Sequence, residues 1–198
     1  MPLLRLEHSP TAYRVDFALY AAASAALGLL LVLGSPAGSA RVLAVWSVAG
    51  AALWTLVEYL LHRFVLHGLP PFKRWHAEHH QRPTALIASP PLMSGVLFVL
   101  LATLPGWWLL GGWPACALTF GLITGYLIYG LTHHATHHAV PLLHGRSAWL
   151  AQRRRWHALH HAAARAGAEP GHYGVSSSLW DHAFGTQRAV AAPPRRVP

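Results

Sequence analysis

Four stretches of this chain, each close to twenty residues long, carry almost no charge: about Phe17 to Leu33, Val42 to Leu61, Leu92 to Leu110 and Pro114 to Leu131. In hydrocarbon every backbone N–H and C=O must be bonded within its own segment, and about 20 apolar residues of helix cross the roughly 30 Å of a bilayer core. The rest of the composition agrees. Only 11% of the 198 residues are charged and 54% are hydrophobic, whereas a soluble protein is about 25% charged. The expected fold is an all-α integral membrane protein with about four transmembrane helices. It is read as a single membrane-embedded domain over 1–198, ending in a flexible tail from about 187 to 198. The second span should continue as helix toward His67, Pro105 should kink the third, and the fourth should run straight into THHATHH. The first begins too late, and lacks a convincing cleavage site, to be a signal peptide. Cys116 is the sole cysteine, so no internal disulfide can form.

The formal charge of +9 would suit nucleic acid, but its placement argues against that partner. Four crossings put both termini and the 62–91 loop on one side, and fourteen of the fifteen basic residues fall there; Arg41 alone lies opposite. That asymmetry predicts a cytoplasmic face for the basic side and contact with lipid headgroups. The stretch near 147–165, rich in Arg, Trp, Leu and Ala, reads as a helix lying at that interface.

RWHAEHH at 74–80 returns as RWHALHH at 155–161, and thirteen of the sixteen histidines lie between His62 and His161. His76, His79 and His80 stand at i, i+3 and i+4, on one helix face, and His157, His160 and His161 repeat the geometry. In THHATHH the pairs His133/His137 and His134/His138 are each at i, i+4 but point about 100° apart, so one face uses only one pair. His62 and His67, five residues apart, are about 140° apart on a regular α-helix. They would reach two neighbouring ions, unless His67 leaves the helix at Gly68-Leu69-Pro70-Pro71. Neutral imidazole is the commonest metal ligand, and two triplets with two pairs make ten nitrogens, enough for two ions at five each. A cap carrying a histidine-rich dimetal site, with span ligands beneath it, is the expected arrangement. Glu58 reads as the only acid inside a span; one turn before His62, it suits either a partner fixing that imidazole or a structural pairing with Arg63 or a backbone donor. The cluster sits at the ends of the spans and not along a path across the membrane, which favours lipid chemistry over ion transport.

WTLVEYLLHRFVLH (54–67), HAEHH (76–80), LTHHATH (131–137) and HALHH (157–161) resemble the histidine boxes of the fatty acid hydroxylase/sterol desaturase superfamily. With Pro90-Pro91 and YGVSSSLWDHAFGT (173–186), the likeness is nearest to the catalytic domain of fatty acid 2-hydroxylases, over about 54–186. The resemblance implies a four-helix anchor under a cytosolic cap and a site of two iron ions, with zinc a possible substitute in purified protein. By motif position its ligands are His62, His67, His76, His79, His80, His133, His137, His157, His160 and His161. It implies a membrane-bound non-haem di-iron oxygenase that hydroxylates a lipid acyl chain with dioxygen and external electrons. Other superfamily chemistries (sterol, carotenoid or aminolipid hydroxylation, or desaturation) share the boxes, and a non-redox metal-binding or transport protein is the rival from another class. The 198 residues leave no room for a fused cytochrome b5 domain, so a separate donor is expected: cytochrome b5-like, ferredoxin or similar. The family's Tyr-Asp before the third box is Tyr129-Gly130 here, so an acid near the substrate is missing. Tyr129, His134 and His138 remain candidates for contact with ligands or substrate. His172 reads as loop packing before substrate contact, Asp181 as orienting a cap residue, and Trp75 and Trp156 as lining a lipid entry between spans two and four. The Ala-, Arg- and Gly-rich usage points to a bacterial inner membrane, with termini and site cytoplasmic.

Overall fold

A computed structural model describes residues 7–139 and 147–187; the expected flexible tail, apart from Gln187, lies outside them. Among the described residues the protein is helical, with one isolated bridge between Glu7 and Ile87. Four helices are long and apolar enough to cross a membrane: Pro10–Gly34, Ala40–Leu66, Pro91–Leu110 and Gly112–His137. The first is α1. The second is α2 (Ala40–Leu60) continued by a π-helical turn, Leu61–Leu66. The third is α4 (Pro91–Phe98) and α5 (Leu104–Leu110), joined by a second π-helical stretch, Val99–Thr103; the fourth is α6 (Gly112–His137). Between and beyond them lie α3 (Phe72–Gln81), α7 (Ala148–Arg165) and the short α8 (Leu179–Ala183).

Helix α1 begins seven residues earlier than hydropathy indicates, because Ser9 accepts the amide of Ala12 (3.2 Å) and Pro10 occupies the first turn, where its missing N–H costs nothing. This corrects one expectation. Asp16 lies inside the first span, so Glu58 is not the only membrane acid. In the third span the irregularity falls just before Pro105, whose ring cannot fit a regular preceding turn. Leucines and tryptophans coat the outside: Leu92, Leu101, Trp108 and Leu109 are all exposed, Trp108 by 86%, a surface that requires lipid.

Helices α2 and α6 form the central pair, and small residues set their approach. A Cβ on Gly121 would run into the Ser47 carbonyl, and one on Gly50 into that of Leu118. Close backbone contact replaces hydrophobic drive where lipid is as apolar as the core. Above this pair an aromatic layer from four spans (Tyr20, Trp54, Phe98, Tyr126) packs mostly edge to face, with Tyr20 and Tyr126 at 4.7 Å, Trp54 and Tyr126 at 5.1 Å, and Trp54 tilted against Phe98. Helix α7 starts at a Ser147 cap that accepts the amide of Leu150 (3.2 Å). It is pinned over the end of α6 by Arg154, whose Nε donates to the Ala135 carbonyl (2.8 Å) and whose charge suits a helix C-terminus. The helix expected near 147–165 is present and covers α6.

Gly121→Ala should therefore lower stability by about 1–3 kcal/mol through enforced backbone separation. Gly95→Ala, whose new Cβ would find only the Tyr20 hydroxyl at 3.9 Å, should hold or raise it through helix propensity. Thermal unfolding of the two variants in detergent makes the comparison, and equal midpoints would contradict it.

Candidate metal centre

The second and fourth spans end side by side, and α3 and α7 close over them, so the histidines of all four segments meet. Among the described residues they fall into two sets. His62, His67, His76, His80 and His160 form one; His79, His133, His137, His157 and His161 form the other; within each set the offered nitrogens lie within 4.8 Å of one another. All ten residues expected from the motifs are thus brought together. His134 and His138 stand outside, stacked on each other at 4.3 Å, with His134 against Tyr13 and Phe17.

The π-helical turn resolves the awkward 62/67 spacing. Its i→i+5 bond, His67 N–H to the His62 carbonyl (3.2 Å), sets position i+5 nearly above i. His62 and His67 therefore face the same set, with ring centroids 5.2 Å apart, and do not serve two ions. Gly68 then lets the chain turn away, since a Cβ there would meet the Phe64 carbonyl. The two RWHxxHH copies divide in opposite senses. In α3, His76 and His80 join the first set and His79 the second; in α7, His157 and His161 join the second and His160 the first.

The donor geometry fits an ion in each set. Nitrogens bound at about 2.1 Å stand about 3.0 Å apart when adjacent and about 4.2 Å when opposite. Nε2–Nε2 separations are 3.0 Å for His62/His76, His76/His80 and His67/His160, and 3.1, 2.8 and 3.1 Å for His79/His133, His137/His157 and His157/His161. His62 Nδ1–H donates to the Tyr173 carbonyl (2.6 Å) and His160 Nδ1–H to that of Gly171 (2.7 Å), which turns a bare Nε2 lone pair inward in each ring. Convergent lone pairs repel unless a cation lies between them.

The segment 171–176 that supplies those carbonyls is held by two buried acids. Glu58 accepts the amides of Val175 and Ser176 (2.8 Å for Ser176) and the Ser176 hydroxyl. Of the roles its spacing allowed, it takes the backbone one, and Arg63 instead donates to the Tyr59 hydroxyl (2.7 Å). Asp181 accepts the amides of Tyr173 and Gly174 (both 2.8 Å) and the Thr186 hydroxyl (2.6 Å). His172, at φ 54°, is buried and stacked on Trp156 at 5.5 Å, while Arg153 covers the other ring at 4.3 Å. His172 and Trp156 thus share one stack of side chains beneath Arg153. Gly171, Tyr173, Ser176 and Thr186 escaped the sequence reading; only the position of YGVSSSLWD after the last box pointed to them.

A cavity of about 150 Å³ adjoins the centre, walled by His76, His79, His133, Tyr129, Trp75, Leu66 and, from α1, Tyr13, Asp16, Phe17 and Tyr20. Tyr129 stacks nearly parallel on His133 (5.8 Å, 8°). The cavity lies between spans one and four and the start of span three, with Leu66 bringing the end of span two to its wall; α1 packs close to span four at Gly130, where a Cβ would sit 3.0 Å from the Phe17 ring. A second groove, whose charged lining residues are Arg63, Lys73, Arg165 and Glu169, opens on His67 and His80.

A helical membrane protein with a histidine-walled centre at the end of its spans is the class these features define. The sequence profile of the fatty acid hydroxylase family matches residues 47–186, and the chain belongs to that family. It is 32% identical to a dihydroceramide fatty acyl 2-hydroxylase of Arabidopsis thaliana over 74% of this chain and 62% of that one. It is 30% identical to a human fatty acid 2-hydroxylase over 69% of this chain and 38% of that one. The chain thus spans only part of the curated relatives it matches. Its fold is that of the visible hydroxylase domain of Scs7p, with a TM-score of 0.75 at 23% identity, covering 92% of this chain and 69% of that one.

Burial holds the imidazoles outside the spans in their neutral form. His67 is lowered to about 4 by burial and then by Lys73, and His79 to about 4 by burial. His80 falls to about 2 through burial and its imidazole neighbours, and His157, His160 and His161 are likewise depressed. Unfolded histidines take up protons below about pH 6.5, so the unfolded state binds more protons than the folded one between about 6.5 and 4. Metal-free protein should keep its full stability above pH 6.5 and lose it steadily toward pH 4; an unchanging melting temperature from pH 7.5 to 5 would refute this. Asp181→Ala should cost about 2–4 kcal/mol by stranding the Tyr173 and Gly174 amides, readable as a fall in the unfolding midpoint.

Proposed function

We propose that the protein is a membrane-bound non-haem di-iron oxygenase that hydroxylates a lipid acyl chain with dioxygen and electrons from a donor outside residues 1–198. The observation that carries the reading is the pairing of two five-imidazole sets with an apolar cavity that shares His76, His79 and His133 as its wall. The ten named histidines would hold two ions, five to each. The iron, when bound, supplies the activation of dioxygen and the cleavage of an unactivated C–H bond. The chain itself supplies position and dryness. Tyr173 and Gly171 fix the tautomers of His62 and His160 through their carbonyls, and Glu58 and Asp181 hold those carbonyls still. Trp75, Tyr129, Leu66 and Phe17 keep water from an alkyl chain, and a volume of this order, which accommodates a benzene-sized group, fits the stretch of chain that reacts. No side chain is needed as a general base.

Membership of the family and the names of its relatives support an acyl substrate oxidised near its carboxyl end. The basic groove of Arg63, Lys73 and Arg165, which opens on the first histidine set, suits the approach of an acidic electron carrier (cytochrome b5-like or a ferredoxin). The positive-side asymmetry supports a centre on the cytoplasmic face of a membrane, read as a bacterial inner membrane from the Ala-, Arg- and Gly-rich usage.

Purified protein reconstituted with iron should bind two ions per chain and, with reductant and oxygen, give a lipid product heavier by one oxygen atom in mass spectra. His80→Ala should abolish the product and lower the metal content. Identical lipid profiles from wild type and His80→Ala would reject the assignment, and metal flux without oxygen consumption would favour transport.

A further inference from the structure

One acid in the cavity wall keeps a buried oxygen that no donor in the described residues reaches. Asp16 lies on α1, less than two turns from the helix N-terminus and inside the first span, and is 8% exposed. A carboxylate in a membrane segment is costly and persists where it has a partner or a task. Among the described residues no donor reaches its buried Oδ1; the His8 imidazole acts on it through space without a hydrogen bond, and the ion pairs are those of Arg82 with Glu7 and Glu78. The side chain faces the cavity whose other wall carries His76, His79 and His133, with Tyr13, Tyr20 and Ser89 around it. By contrast, Glu58 and Asp181, the other two buried acids, are saturated with backbone donors.

We infer that Asp16 is the acceptor that positions the polar head of the lipid in this cavity, selecting a neutral head that bears an N–H or O–H donor over an anionic carboxylate head. The inference rests on the lipid-hydroxylase reading for what enters the cavity. The physical ground is the asymmetry of buried polar groups. An unpaired acceptor in an apolar wall repays a donor strongly, whereas an acceptor-only or anionic head leaves it unpaired or repelled. With the head fixed on α1, the carbons next to it lie across the cavity toward the histidines on α3 and α6, so Asp16 is a positioning residue and takes no part in the oxidation.

Equilibrium binding of three labelled lipids to the detergent-solubilised full chain tests this without turnover. The probes are N-hexadecanoylethanolamine (a neutral donor head), methyl hexadecanoate (neutral, acceptor only) and hexadecanoate. Wild type should prefer the amide about tenfold or more over the other two. In Asp16→Leu the preference should shrink to about twofold with ester binding unchanged, which also certifies the fold. Asp16→Asn, which keeps a carbonyl acceptor without the charge, should retain preference over the ester and lose discrimination against hexadecanoate. Wild type that binds hexadecanoate as tightly as the amide, or Asp16→Leu with its preference intact, would overturn the inference. Hydroxylation is assayed separately. Amide preference that depends on Asp16, found without any oxygenated product, would sink the oxygenase reading alone; product formed without that preference would sink only the role of Asp16.

Discussion

Ten imidazole nitrogens turned toward two points is an arrangement that a protein without metal has every reason to avoid. Most of the rings are buried and the rest half-buried, their Nε2 atoms crowd within about 3 Å of one another, and nothing apolar is gained in the middle. The repulsion sets what the rest of the fold must do. It explains why α3 and α7 are clamped over the span ends, why Arg154 ties α7 to α6, and why two buried carboxylates are spent on holding six residues of coil. Burial that keeps the rings neutral is the same burial that leaves them ready to ligate, because a metal requires the deprotonated nitrogen.

The clamp is built in layers of decreasing regularity. The α2–α6 pair is fixed by glycines and cannot spread; the aromatic layer above it is shared by four spans; the histidines come next. The outermost layer is the irregular 171–176 segment, which has no secondary structure to stiffen it and is held instead by Glu58, Asp181 and Thr186. Its carbonyls choose the tautomers of His62 and His160. Loose coil thereby gains the precision of a helix, through the amides of Tyr173, Gly174, Val175 and Ser176, which find buried carboxylates.

Much of this was legible in the chain. Hydrophobic runs located the spans, and the i, i+3, i+4 ladder put three imidazoles on one face of each cap helix. The choice of His133/His137 over His134/His138 needed the resemblance, since spacing treats the pairs alike; the structure turns His134 toward Tyr13 and Phe17 and stacks His138 on it. What stayed hidden has physical causes. A π-turn leaves no mark in composition, so five-residue spacing read as divergence where it is stacking. The N-terminal extension of α1 depends on a serine cap outside the apolar run, so hydropathy ended the span one residue short of Asp16 and dropped an acid from the membrane. The contacts of Glu58 with Val175 and Ser176 join segments that no local pattern connects.

The opposed division of the RWHxxHH copies means that neither pocket belongs to one helix. Each borrows a lone imidazole from the element that furnishes two to its neighbour, so the pair is interlocked like the teeth of a clasp. Displacing α3 or α7 by a fraction of an ångström would distort both coordination shells together, and a chain lacking either helix would have no intact mononuclear remnant to fall back on. An ion held in one pocket would thereby brace the other.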